Sequence, residues 1–567
     1  MPTFGWLRSC EPRQQRGTPP GVAVPLQVSR FDVWNSTVGS TTPHDVGRFE
    51  RQHSIIDVAG IEGRSVVEIL RNVVSRYLVF AGCVWLLLVQ AVVAQQAPPA
   101  ADPAAPAPAA TDPAAAPAAE NAVETKADAP AESGGQIRSK IEYALPVISK
   151  DDEKALRSKL QVPITRFLKA IAPTNAEKAV GEEFARFQVD RLTMTEYRPD
   201  AYIKVIEPAR RSAEGPLTTP AAKAILLKAM TDRCVELLAQ NPPHHPDVQL
   251  NAVILMTSLN AATPANKTPV PYVTSYKSII GLLDNTALPL QCRITAARGL
   301  GRMAQDSVVG VANGDLTSVQ RNEITVALAK TLVASDSAGD DEGKQWFRSR
   351  VAEALGDCGL AFDVNGSSAP IDALMLIASN PKESLRVRAT AMRAATRTAW
   401  NAQTNVHLIT FETVKLVVEI GNANNAAVAA NATAEAAAKK AIADAKAKDP
   451  MSPAAKATVP PPSGLPASLR WANIETYFCF QPMTATQATQ KFGLLNQVAR
   501  PGLIQQAPLV TSAYEVIKPV INHVQDKDKA AKPVAIPNVT LAAVDAWLKA
   551  NPPANRMVTP VSPQPLP

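Results

Sequence analysis

Three stretches with the same spacing decide the fold: CRITAARGLG at residues 292–301, FRSRVAEALG at residues 347–356 and VRATAMRAA at residues 387–395. Counted from the first residue of each stretch, apolar or small residues occupy positions i, i+4, i+7, i+8 and i+11. The last position lies just beyond the quoted letters. At 3.6 residues per turn these positions form one stripe about 100° wide, which predicts an amphipathic helix. A fourth stretch that begins at Val248 follows the same frame.

These helices are predicted to be the second members of helix pairs. An earlier apolar segment of helical length precedes each copy, and the copies start 44, 55 and 40 residues apart. The longest interval contains the polar insertion SDSAGDDEG at residues 335–343. A helix pair that recurs about every 40 to 47 residues is typical of an α-solenoid. Residues 216–421 are therefore predicted to form such an array.

The residues around the apolar frame resemble those of a known family. Arg293, Arg348 and Arg388 each follow the first apolar position, alanines occupy the middle of the helix, and Leu-Gly ends two of the copies. This pattern resembles the second helix of HEAT repeats, which are armadillo-like α-solenoids; the copy at Val248 departs from it by carrying Gln249. The resemblance implies an all-α solenoid of stacked antiparallel helix pairs. It implies no particular ligand, because such arrays serve many partners.

The segments on either side of the array divide by composition. Residues 137–215 are predicted to form an N-terminal helical cap and residues 467–550 the C-terminal helices, since an array exposes its apolar ends without caps. Residues 422–466 are interpreted as an insertion, an Ala/Lys-rich helix followed by a Pro-rich loop. Residues 551–567 are predicted to be a disordered tail.

The N-terminal region indicates export. Residues 77–94 form an apolar run after Arg71 and Arg76, and they end in Val-Val-Ala. This pattern predicts either a secretory signal cleaved after Ala94 or an uncleaved membrane anchor. Residues 1–76 are interpreted as a disordered or mis-assigned upstream segment, and residues 95–136 as a disordered Pro/Ala-rich linker. The predicted location is the periplasm, the cell envelope or the exterior.

Composition and motifs exclude several classes of protein. The chain has 567 residues with 19% charged and a net charge of only +7, which is too dispersed for a dedicated nucleic-acid-binding protein. It contains no phosphate-binding glycine loop, no HExxH and no paired CxxC. We therefore predict no cofactor, no metal site and no nucleic-acid partner, and membrane contact only through residues 77–94 if they are uncleaved.

Charged residues flank the apolar stripe at two positions of the frame. Position i+6 carries Arg298, Glu353 and Arg393, and position i+10 carries Arg302, Asp357 and Arg397. In a stack of helices about 10 Å apart, each acid would lie between two arginines of adjacent repeats. One interpretation is a ladder of ion pairs that fixes the register of the repeats. The other is a groove in which Arg298, Arg302, Arg393 and Arg397 bind an acidic peptide or an anionic polymer.

The sequence thus favours a non-catalytic scaffold that binds a protein or an anionic cell-envelope polymer. The alternative is a helical extracellular hydrolase that uses Glu353 and Asp357 as acid and base. These two carboxylates lie one turn apart on the same side of a helix. Their arginine neighbours are expected to keep both ionised, whereas a general acid needs a raised pKa.

Overall fold

The computed structural model describes residues 143–265, 267–335, 339, 341–459, 465–480, 493–525 and 534–567. These residues are mostly helical, with only two short strands, which confirms the all-α prediction. Segments 1–76, 77–94 and 95–136, with their predicted signal or anchor and linker, lie outside the described residues. Within the described part of the chain, no helix combines the length and apolar character needed to cross a membrane.

In the part of the chain that the structure describes, three α-helices precede the array: α1 (Lys150–Lys169), α2 (Asn175–Asp190) and α3 (Glu207–Glu214). Helix α1 begins with a capping box, in which Ser149 and Asp152 bond each other's backbone amides. Thr174 and Glu177 start α2 in the same way. Helix α2 packs along the first helix of the array, so it lies where the N-terminal cap is predicted.

The array consists of four helix pairs. They are α4 (Pro220–Leu238) with α5 (Pro246–Ser258), α6 (Tyr276–Asp284) with α7 (Leu290–Asp306), α8 (Ser318–Ala334) with α9 (Glu342–Cys358), and α10 (Ala369–Ser379) with α11 (Leu385–Arg397). The second helices pack in the order α5, α7, α9, α11, and the first helices in the order α6, α8, α10. An antiparallel ribbon of β1 (Asn260–Ala262) and β2 (Val270–Pro271) separates the first two pairs.

The same contact recurs at each step between second helices. Position i+9 of one helix meets position i+7 of the next: Thr257 meets Gly299, Gly301 meets Ala354, and Gly356 meets Ala394. A Cβ atom added to Gly356 would lie 2.9 Å from the Cα of Ala394, so the backbones approach closely there. All four copies therefore start in equivalent layers of the stack, as the frame predicts.

The repeated arginine at position i+1 has a structural role. Its guanidinium binds the carbonyl end of the first helix of its own pair, where backbone oxygens lack helical partners. The contacts are Arg293 Nε to Leu283 O (2.9 Å), Arg388 Nε to Ala378 O (3.0 Å) and Arg348 Nη1 to Ser335 O. Each arginine thus fixes the two helices of a pair to one another.

Among the described residues after the array there are five further α-helices: α12 (Val406–Lys448), α13 (Ala467–Phe480), α14 (Leu494–Gln497), α15 (Ala507–Gln525) and α16 (Asn538–Ala550). Helix α13 continues the row of second helices by packing against α11. Helix α12 runs without interruption through the predicted boundary at residue 421, and its last buried residue is Asn424. The array and the Ala/Lys-rich segment therefore share one helix.

The C-terminal segment is packed against the helices, so the prediction of a disordered tail at residues 551–567 is wrong. Val558 and Leu566 are buried, with 1% and 5% of their surfaces exposed. The amide of Asn405 donates to the carbonyl of Val558 at 2.8 Å. Arg556 forms a 2.9 Å ion pair with Glu412, whose side chain is buried. Two apolar anchors and one ion pair hold this Pro-rich segment in place.

The four cysteines among the described residues are Cys234, Cys292, Cys358 and Cys479; all of them are free and buried. Cys292 and Cys358 do not bridge. They occupy positions i and i+11 of neighbouring copies, which lie about 16 Å apart along the helix axes. Burial raises the pKa of the Cys292 thiol to about 11 and that of Cys358 to about 12. These thiols remain protonated and serve as small apolar side chains.

Candidate binding surface

One row of positions on each second helix faces away from the apolar stripe. Positions i−1, i+3, i+6 and i+10 lie within about 60° of each other around a helix. The row contains Gln291, Thr295, Arg298 and Arg302 on α7; Trp346, Arg350, Glu353 and Asp357 on α9; and Arg386, Thr390, Arg393 and Arg397 on α11. We call this row of twelve residues, in which Arg350 and Thr390 are buried, the arginine face. The sequence prediction used only its last two positions.

Arg302 is bound to the preceding repeat. Its Nη1 donates to the carbonyl of Thr257 at 2.9 Å, and its Nη2 donates to the side chain of Asn260. Its Nε lies 3.9 Å from Asp306 on the same helix. The guanidinium is therefore engaged at the end of α5 and is not free for a partner.

Arg397 forms an ion pair with Asp357, which confirms one step of the predicted ladder. The two side chains are only 9% and 14% exposed. Burial raises the pKa of Asp357, although Arg397 opposes this change. The expectation that arginine neighbours prevent a raised pKa is therefore wrong for Asp357, because the loss of solvation outweighs them. This carboxylate is bound by Arg397 and is nearly buried, so it is poorly placed to meet a polymer substrate.

Arg393 has a partner that the repeat frame does not contain. Its Nη1 lies 3.0 Å from Oε2 of Glu475, a buried carboxylate on α13. Burial raises the pKa of Glu475, and Arg393 opposes this. Glu353, the predicted partner, contributes to the electrostatics of Arg393 but is paired directly with Arg350 on its own helix. The sequence could not indicate this pairing, because Glu475 lies 82 residues away.

Arg298 is the only one of the four predicted partner-binding arginines without a carboxylate partner among the described residues. Its side chain is exposed at the middle of α7. Glu353 and Arg350 act on it electrostatically, but it forms no hydrogen bond or ion pair within the described part of the chain. Arg298 therefore remains available to a ligand.

Arg386 is a second available arginine, which the sequence analysis missed. Its guanidinium lies over the ring of Trp346, at 4.6 Å from the centroid, and over that of Trp471 on α13, at 5.5 Å. Arg350 also lies over Trp346, at 4.1 Å. Burial and the charge of Arg350 lower the pKa of Arg386, and the charges of Glu475, Glu342 and Glu353 oppose this without pairing directly with it. Extending the repeat frame to positions i−1 and i+3 could have found Trp346, Arg350 and Arg386.

The arginine face carries two positive charges without internal partners among the described residues. Four of its arginines have a carboxylate: Arg302 with Asp306, Arg350 with Glu353, Arg393 with Glu475, and Arg397 with Asp357. Arg298 and Arg386 have none. The surface therefore suits a ligand that presents two anionic groups.

The rest of the described chain offers no stronger chemical site. No group of three or more His, Cys, Asp or Glu side chains in the described ranges could hold a metal ion. A cleft of about 540 Å³ lies between α6 and α8, on the row of first helices. Lys277, Lys330 and Glu323 line it with mixed charge. It shares no residue with the arginine face.

The fold and the surface together define an all-α protein of stacked helix pairs that displays an arginine-rich row on its second helices. Comparison with models of known families, with curated proteins and with solved structures finds no match to this chain. The resemblance to HEAT repeats therefore rests on the repeated frame, and it enters the proposal below on that basis.

Proposed function

We propose that this chain is an exported, non-catalytic scaffold whose HEAT-like array binds an anionic protein or cell-envelope polymer on the arginine face. The observation that carries the proposal is that Arg298 and Arg386 have no carboxylate partner among the described residues, whereas the four arginines around them do. Burial and the nearby charge of Arg350 lower the pKa of both Arg298 and Arg386, although Glu353 opposes this at both, and an anionic ligand would offset that cost. Residues 77–94 and the linker at 95–136 support the export part of the proposal.

The architecture supports binding by a pre-formed surface. Each second helix is held to its neighbour by the repeated contact of positions i+9 and i+7. In the pairs that carry an arginine at i+1, this arginine binds the carbonyl end of the first helix. Side chains on such a stack keep their spacing before a ligand arrives, so binding costs less conformational entropy. Two unpaired charges are too few for binding to a nucleic-acid backbone, which typically takes many phosphate contacts.

The experiment compares the full chain with the double variant R298E/R386E in affinity purification from the native cell envelope. We expect the variant to lose the partner that the unmodified chain retains. Arg302, Arg393 and Arg397 are left intact because their ion pairs belong to the fold. The control is R470E, which reverses an exposed charge on α13 outside the row. Recovery of the same partner by R298E/R386E in unchanged amount would remove the proposal, provided circular dichroism shows native helix content.

A further inference from the structure

We infer that the arginine face binds an extended acidic peptide, with one carboxylate at Arg386 and a second at Arg298. This inference rests on the proposed function and specifies the class of ligand. It follows from the geometry around Arg386, from the occupied faces of the tryptophan rings, and from the spacing of α7 and α11.

The guanidinium carbon of Arg386 lies over two indole rings, at 4.6 Å from the centroid of Trp346 and 5.5 Å from that of Trp471. Cation–π contact uses the flat faces of a guanidinium and leaves its N–H groups directed outward in the plane. The Nε of Arg386 is buried without a hydrogen-bond partner, whereas its Nη1 and Nη2 are not buried in this way. No carboxylate in the described part of the chain meets these terminal nitrogens. They are therefore able to donate to the two oxygens of a carboxylate.

The same contacts favour a peptide over a polysaccharide. Arg350 and Arg386 both lie over the ring of Trp346, at 4.1 and 4.6 Å from its centroid. Trp471 also contacts Arg386. Guanidinium groups lie over both rings, so a sugar ring would have to compete with them for these positions. The tryptophans position an arginine, and the arginine supplies the contact to the ligand.

The positions of the two arginines set the length of the ligand. Arg298 lies on α7 and Arg386 on α11, with α9 between them. Neighbouring helices are about 8 to 10 Å apart, so two steps cover about 20 Å. An extended chain advances about 3.3 Å per residue, so about six residues separate the two carboxylates. The residues between them pass Glu353, which disfavours further acids at the centre.

The test measures fluorescence anisotropy of a labelled eight-residue peptide, mainly Ser and Ala, with glutamates at positions 2 and 8. Comparison peptides carry Gln at one or both of these positions. We expect each Gln to weaken binding to the full chain by at least about tenfold, and R298E and R386E to weaken binding of the two-glutamate peptide by a similar factor. R386K is expected to weaken it several-fold, because lysine keeps the charge but loses the planar edge. R470E should bind within twofold of the unmodified chain.

Equal binding of the two-glutamate and two-glutamine peptides would overturn the inference, and so would unchanged binding by R386K. A polyuronate serves as the competing ligand. Binding of polyuronate but not of the peptide, with dependence on Arg298 and Arg386, would also overturn the acidic-peptide inference while the scaffold proposal stands. The scaffold proposal fails separately, if R298E/R386E still recovers the native partner.

Discussion

The same residue type performs two tasks in this array, and its position in the repeat frame decides which. Arginines at i+1 turn toward the paired helix: the side chains of Arg348 and Arg388 are each only 3% exposed. Arginines of the outward row differ among themselves, because Arg393 meets a buried glutamate whereas Arg386 meets only aromatic rings within the described residues. The frame predicts the direction of each side chain. It does not predict what the side chain meets.

Burial of a single histidine gives the chain a dependence on pH. His244 lies between α4 and α5, is 1% exposed, and its Nε2 has no hydrogen-bond partner. Burial, together with the positive charge of Arg233, lowers the pKa of His244. The unfolded chain then binds the proton more tightly, so stability present at neutral pH is lost as the pH falls below about 6.5. We expect H244Q to show a smaller decrease in Tm between pH 7 and pH 5 than the unmodified chain.

The control for this prediction is H245Q, at the adjacent position, where the side chain is 33% exposed. This variant should keep the decrease in Tm of the unmodified chain. An H244Q variant with the full decrease would show that His244 does not carry the effect.

At the scale of the helix, small residues determine how closely the repeats stack. Glycine or alanine at i+7 of α7, α9 and α11, and glycine at i+9 of α7 and α9, lets neighbouring backbones approach, and α5 uses Thr257 against Gly299. Small residues at i+4 and i+7 are visible in the sequence, and they allow such close approach. The sequence analysis did not predict that α12 extends from the array into the Ala/Lys-rich segment. The helix continues there because helix-forming residues follow Gly421.

A methyl group at one of these crossings is expected to force neighbouring repeats apart. In G356A the new Cβ would lie 2.9 Å from both Cα and Cβ of Ala394. We expect the free energy of unfolding to fall by about 1 to 3 kcal/mol, measured by urea denaturation. The matched control is G281A inside α6, where a Cβ meets no atom within 4 Å. That variant should gain about 0.5 to 1 kcal/mol, since alanine favours the helix. Similar changes in both variants would contradict the close-packing account.

At the scale of the whole molecule, the described chain has one large core, which extends from Ile164 to Leu566. A small second cluster lies at the N-terminal helices and consists of Ile148, Leu160, Phe187 and Met194. The segment before the array and the segment after it both contribute to the large core. The C-terminal segment packs on α12, and Ser562 donates to Asp372 of α10 at 2.7 Å. The last residues therefore belong to the folded body, although their composition resembles that of a linker.

Removal of the C-terminal segment is expected to destabilise the protein. A chain that ends at Ala550 loses the buried side chains of Val558 and Leu566, and Glu412 loses its partner Arg556. We expect unfolding to become easier by about 3 kcal/mol or more, seen as a lower Tm. Within the segment, V558A should lower Tm, whereas V561A, at a residue 54% exposed, should not. A truncated chain with the Tm of the full chain would contradict this packing.

The sequence by itself determined the helical class, the pairing of helices, the frame and the layers in which the four copies start. These properties follow from local periodicity, because the direction of a side chain depends only on its position along a helix. Tertiary structure decided which charges are paired. Arg393 pairs with Glu475, and Arg386 lies over the rings of Trp346 and Trp471. Glu475 and Trp471 belong to α13, which the Ala/Lys-rich segment separates from the array in the sequence. The docking of residues 551–567 depends likewise on surfaces of α10 and α12 that exist only after folding. Electrostatic and apolar contacts act between neighbours in space, and neither periodicity nor composition specifies those neighbours.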